Sequence, residues 1–160
     1  MTTPQEDDMS YTIGEMAEKA GIPVTTLRYY DDQGLFPFLE RTEGGIRIFK
    51  DEDYRWVKIV RSLKRTGMSL SDIRDFMNMS MEGDSTIDQR LELYRHQRDV
   101  VLEQMADLQE MLDILDYKCW FYETAQAAGT TEAPKAIPRD TLPQHLRDGY
   151  YKSGRNKEDD

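Results

Sequence analysis

Cysteine and long apolar runs are both scarce in this chain, and each shortage excludes something. There is one cysteine, Cys119, so no internal disulfide can form, and a reducing, cytoplasmic setting is expected. One thiol cannot ligate an iron–sulfur cluster, which needs about four. The two histidines, His96 and His145, lie far apart, so neither a metal nor any other cofactor is expected. No stretch of 18 apolar residues occurs, which leaves no membrane-spanning helix. The first ten residues hold Glu6, Asp7 and Asp8 without an apolar run. Residues 1–10 are therefore expected to be a disordered tail and not a secretory signal. No Ser/His/Asp or Cys/His set, phosphate loop or pair of catalytic carboxylates is recognisable, so no enzyme is expected.

An excess of positive charge is also missing. The formal net charge is -10, but its distribution is uneven. Residues 11–67 hold ten basic and nine acidic side chains, whereas residues 84–123 hold four basic and ten acidic. The acid sits mainly in the later segment, and the earlier one is near neutral. A segment so balanced would bind a polyanion only weakly without specific contacts.

What the chain does have begins at Tyr11. Thr12-Ile-Gly-Glu15 has the form of a capping box, and Ile13, Met16, Ala17 and Ala20 share one helical face. Gly21-Ile22-Pro23 makes a turn, and Val24 to Gln33 forms a second helix closed by Gly34. Helix, short turn, helix over 13–33 is the helix-turn-helix pattern, which a plain helical hairpin shares. The second helix carries Thr25, Thr26, Arg28, Tyr29 and Tyr30, a polar and aromatic set suited to a DNA groove. Gly44-Gly45 followed by Ile46 and Ile48 predicts a small hairpin, or wing, over 38–50. Arg41 and Arg47 would flank its tip and grip phosphates, unless they are simply solvated surface charges.

Tyr11-Thr-Ile-Gly-Glu, Gly21-Ile-Pro-Val-Thr-Thr-Leu-Arg-Tyr-Tyr-Asp, Gly34-Leu and Gly45-Ile-Arg-Ile-Phe follow one another in an order and spacing that resembles MerR-type transcriptional regulators. The resemblance implies a mainly α protein. It would have a winged helix-turn-helix head over 11–80 with four helices and a small β-wing, then a long antiparallel dimerisation coiled-coil helix over 84–128 and a short C-terminal tail. It also implies a homodimer on double-stranded promoter DNA that bends and twists the duplex for RNA polymerase in response to an effector. The candidate DNA contacts are Tyr11, Thr12, Thr25, Thr26, Arg28, Tyr29, Tyr30, Arg41, Arg47, Phe49 and Lys50.

Asp51 is expected to cap a third helix over Glu52 to Thr66, and Ser69 a fourth with Asp72 in the box position. Thr86 and Gln89 form a further candidate box at the start of the long helix. Its seam runs Ile87, Leu91, Tyr94, Arg98, Val101, Met105, Leu108, Leu112, Leu115, Cys119 and Tyr122, in alternating steps of four and three. Only Arg98 breaks the apolar rule, and a seam this long implies a partner helix, most simply its own copy across 87–122. In an antiparallel pair crossing near Met105, the two Cys119 residues would lie about 40 Å apart. No bridge between them is expected, since a disulfide needs Cα atoms within about 7 Å.

Residues 129–160 form the tail, where Pro134, Pro138 and Pro143 exclude a continuous helix. It is either solvated and flexible, or docked in part as a short turn over Leu142 to Tyr151. About thirty proline-punctuated residues are too few for the large effector domain of drug-binding family members. Paired thiolates of the metal sensors are missing, and Asp51, Glu52 and Asp53 stand where aldehyde sensors are thought to have a cysteine. Tyr117, Cys119, Trp120, Phe121 and Tyr122 remain as the candidate site for a small organic effector, unless the rings merely close the coil end. The alternative function is a small architectural or adaptor DNA-binding protein, excisionase-like, with no effector.

Overall fold

Thr12 is where the helical head starts. It accepts the Glu15 N–H at 3.3 Å, and Glu15 Oε2 takes the Thr12 N–H at 2.8 Å, so the expected capping box is present. In the computed structural model, which describes residues 10–154, this box opens α1 (Ile13–Ala20). Gly21 ends the helix at φ 64°, a left-handed geometry that glycine adopts without a Cβ clash. The chain turns through Pro23 into α2 (Val24–Asp32). Leu27 is fully buried against the α1 face of Met16, Ala17 and Ala20. That single inward residue decides which side of α2 faces out.

The wing follows as β2 (Glu40–Arg41) and β3 (Arg47–Lys50). A third strand, β1 (Ser10–Tyr11), pairs with the other edge of β3, with Ser10 opposite Lys50 and Tyr11 opposite Phe49. Ser10 is therefore a strand residue and not part of a disordered tail, because β3 supplies the backbone partners. The rest of that expected tail lies outside the described residues. Two residues are too short a run to show strand alternation, which is why β1 was not legible.

Helices α3 (Asp53–Arg65) and α4 (Leu70–Glu82) close the head over a core that includes Phe36, Phe49, Val57, Val60, Leu63, Met68, Ile73, Phe76 and Met77. Ser69 caps α4 as expected, accepting the Asp72 N–H at 3.0 Å. Asp51 does not cap α3. Asp53 accepts the Lys50 N–H at 2.7 Å instead, while Asp51 turns to Tyr11 and Lys19. Burial raises the Asp53 carboxyl pKa above its ordinary value. The Thr86 box is not formed either, since its hydroxyl donates to the Met79 and Gly83 carbonyls.

Helix α5 (Ile87–Ala128) is 42 residues long, and the chain divides along it into two units, one reaching Arg98 and the other starting at Asp99. In the second unit, α6 (Glu132–Lys135) and α7 (Gln144–Lys152) follow Gly129. Of the two alternatives for the tail, the described part is docked. Tyr150 meets the buried Tyr117 edge-on at 5.4 Å, and Leu142 and Leu146 are buried. Gly149 lies so close to α5 that a Cβ there would sit 2.6 Å from the Asp113 carbonyl carbon. Lys152 then pairs with Asp113 at 3.0 Å, and Gln109 donates to the same carboxylate at 2.9 Å.

The Gln109 and Lys152 hydrogen bonds hold the Asp113 carboxyl below its ordinary 3.8, and the Asp113 hydrogen bond raises Lys152 above 10.5. The carboxylate's contribution is present above its unfolded value and lost as pH falls through its lower folded value. The lysine's contribution is present below its unfolded value and lost as pH rises through its higher folded value. Docking of α7 is expected to be flat from about pH 5 to about pH 9 and to weaken in acid below about pH 4. Hydrogen exchange at Leu146 and Tyr150 measures it, and in Asp113→Asn this contribution to the acid-side loss is expected to be absent.

Candidate nucleic-acid interface

The outward side of α2 carries the chemistry. Thr25 and Arg28 are exposed, Tyr29 is half-exposed, and Thr26 and Tyr30 are partly covered. Pro23 at the start of α2 gives no side-chain cap. The helix dipole is positive at this end, and no side chain of the N-cap residue competes for its N–H groups. This is a donor-rich surface, with Leu27 holding it in place from behind.

The wing adds a second set of groups beside α2. Its tip is closed by hydrogen bonds from Gly45 N–H to the Thr42 carbonyl at 2.8 Å and from Ile46 N–H to the Thr42 hydroxyl at 3.0 Å. Gly45 has φ 79°, the reason a glycine stands there. Ile46 is exposed beside it.

The wing arginines are not free surface charges. Arg41 Nη2 donates to Asp31 at 2.7 Å, and Arg47 donates to both Asp31 and Asp32. Hydrogen bonding to Asp31 raises the Arg47 pKa further above its already high value. Lys50 pairs with Glu40 at 2.9 Å. On the β1 side, the Tyr11 hydroxyl donates to Asp51 at 2.9 Å, Lys19 donates to that hydroxyl at 2.9 Å, and Lys19 also pairs with Asp51. The Lys19 bond lowers the Asp51 pKa, and the Asp51 bond raises that of Lys19.

Two more of the candidate DNA contacts are engaged within the protein. Phe49 is fully buried and packs edge-on to Phe36 at 5.9 Å, so it anchors the wing and cannot reach DNA. The Thr12 hydroxyl is engaged with Glu15 at both ends of the capping box. The residues that sequence reasoning missed are Asp31, Asp32, Lys19 and Asp51. Acids in the last turn of α2 oppose the helix dipole, and that conflict was the available signal. The candidate effector residues are divided. Tyr117, Trp120 and Phe121 cluster with Tyr150, whereas Cys119 and Tyr122 are exposed. Tyr150 of α7 packs on Tyr117, and the Tyr122 ring meets Phe121 edge-on at 5.2 Å.

Elsewhere on the head, Lys58, Arg61, Ser62 and Arg65 line a shallow basic groove of about 260 Å³ on α3. Arg61 donates to the Ala20 carbonyl at 2.8 Å and ties the groove to the end of α1. Among the described residues, no three His, Cys, Asp or Glu side chains are grouped to hold a metal.

The family model described as "MerR HTH family regulatory protein" matches residues 11–80, and the model "MerR, DNA binding" matches residues 54–117. Helices α6 and α7 lie beyond both. An uncharacterized HTH-type transcriptional regulator of Haemophilus influenzae is 46% identical over 125 residues, covering 78% of this chain and 93% of that protein. The mercuric resistance operon regulatory protein of Serratia marcescens is 33% identical over 104 residues, covering 65% and 71%. Among solved structures, HiNmlR, a MerR family regulator lacking the sensor domain and bound to promoter DNA, is 46% identical with a TM-score of 0.58, covering 78% of this chain and 99% of that one. A putative MerR family regulator from Listeria monocytogenes is 36% identical with a TM-score of 0.62, covering 74% and 90%.

Because Phe49 is core, Phe49→Ala is expected to reduce unfolding free energy by about 3–5 kcal/mol, the usual cost of truncating a buried phenylalanine. Urea denaturation measures this. DNA affinity at a temperature where the variant stays folded is expected to change much less than for a residue that touches the duplex.

Proposed function

Since the chain belongs to the MerR family of helix-turn-helix regulatory proteins and is a DNA-binding transcriptional regulator, we propose how it works: as a homodimer that grips a two-fold promoter site through α2 and the wing. The observation that carries this is the apolar stripe left open on α5. Ile87, Leu91, Met105, Leu108, Leu112, Leu115 and Tyr122 all stand exposed on a single chain. Each would gain roughly 1.5–3 kcal/mol on full burial, so water is a poor partner for the stripe. A second α5, antiparallel, covers it in register and presents two copies of α2 to one duplex.

On the DNA, Arg28 and the two threonines reach phosphates and base edges, and Tyr29 packs on sugar. Binding between the promoter elements, the dimer holds the duplex bent and untwisted, and an effector changes that distortion for the polymerase. A small organic molecule is the effector class that suits a chain with one thiol.

Two experiments test this. Leu108→Lys is expected to convert a dimer into a monomer by sedimentation equilibrium, and an unchanged dimer would reject the α5 seam. A protection footprint on the DNA flanking the coding region is expected to show a two-fold protected site with a hypersensitive centre. Arg28→Ala and Tyr29→Ala are expected to weaken that site by about 1–3 kcal/mol each, and random DNA by less. Equal losses on all DNAs would remove their role in sequence reading. A dimer that protects no site would favour an adaptor without a promoter of its own.

A further inference from the structure

Taken alone, the wing is electrostatically unfavourable. Arg41 and Arg47 stand directly opposite each other across β2 and β3, where like charges repel. The end of α2 is unfavourable in the opposite sense. Asp31 and Asp32 occupy its last turn, at the negative end of the helix dipole, with no basic residue in that turn.

The two conflicts cancel at one carboxylate. Asp31 Oδ2 accepts from Arg41 Nη2 at 2.7 Å and from Arg47 Nε, and Arg47 Nη2 reaches on to Asp32. The Asp31 side chain is only 7% exposed, against 61% for Asp32, so Asp31 is the fixed point and Asp32 an outer support. A carboxylate shared by two guanidinium groups and shielded from water is a charge-assisted joint of the stronger kind. It spans two elements that both border the proposed DNA surface.

We propose that Asp31 is a positioning residue for DNA recognition: it fastens the wing to α2 and keeps Arg41 and Arg47 from binding phosphates indiscriminately. This rests on the reading that α2 and the wing face the duplex. An arginine that neutralises a phosphate releases counterions whatever the base sequence, so two free arginines would raise affinity for every DNA alike. Tied to Asp31, they shape the wing without adding sequence-independent affinity. Discrimination is left to the exposed groups of α2.

The test uses the full chain, with anisotropy titrations on a random-sequence duplex and on the footprinted site across a salt series. Asp31→Asn is expected to raise random-duplex affinity several-fold and to steepen the log K against log [salt] slope by about 0.9 for each arginine released. The ratio of specific to random affinity is expected to fall, and Asp31→Glu to restore it. Glu43→Gln removes an exposed acid near the wing tip and is expected to leave the slope unchanged. In the native chain, Arg47→Ala is expected to leave the slope as it was, whereas in the Asp31→Asn background it lowers the slope by about 0.9. Circular dichroism shows whether each variant is folded. The proposal is overturned if Asp31→Asn, folded, leaves the random-duplex slope unchanged, or if Arg47→Ala flattens the slope in the native chain. The second arm decides the matter even if Asp31→Asn does not fold. Failure of Arg28→Ala to affect binding would instead reject the assignment of α2 to the duplex, whatever the slopes show.

Discussion

Burial of Leu27 against α1 is the contact on which the recognition surface depends. One inward leucine beside the exposed Thr25 and Arg28 fixes the rotation of α2, and with it every group that can meet DNA. The small residues Ala17 and Ala20 let the two helices approach, and Gly21 lets the chain reverse between them. Phe49 does the same for the wing. It pins β3 to the core, and β1 and β2 then add on its two edges. The tips and faces that project outward are therefore set by side chains that never leave the interior.

Charge in the head is arranged for geometry as much as for attraction. Of the basic residues near the proposed interface, Arg41, Arg47, Lys50 and Lys19 all have carboxylate partners within the chain. Arg28 stands exposed on α2, and Lys58, Arg61 and Arg65 line the α3 groove. A protein with a formal charge of -10 gains little by general attraction to DNA. Such a surface favours selection by shape and by a few directed groups.

The second unit shows one helix with two different faces. Asp113, Tyr117, Phe121 and Ala125 recur at four-residue spacing, and all are buried. Leu108, Leu112, Leu115 and Tyr122 follow the three-and-four alternation of a coiled-coil seam, and all are open. Tyr117, Phe121 and their neighbours in the cluster receive the chain's own α7. The open stripe is the face proposed for a second copy.

The sequence by itself determined the helices of the head, the turn at Gly21, the wing and the apolar stripe of α5. Each is written in a local pattern: a capping box, a glycine at positive φ, a period of two, or a heptad. Even the family was legible, because its signature is a run of contiguous residues. Tertiary structure alone decided which charged residues meet. Asp31 and Arg47 are sixteen residues apart, and Lys152 and Asp113 thirty-nine, distances over which no local periodicity carries information. It also decided that Phe49 turns inward, that two residues at Ser10–Tyr11 suffice for a strand once β3 offers an edge, and that a tail punctuated by prolines docks. Gly149 shows why. A missing side chain is silent in a sequence pattern, and it has meaning only when the Asp113 backbone lies where its Cβ would be.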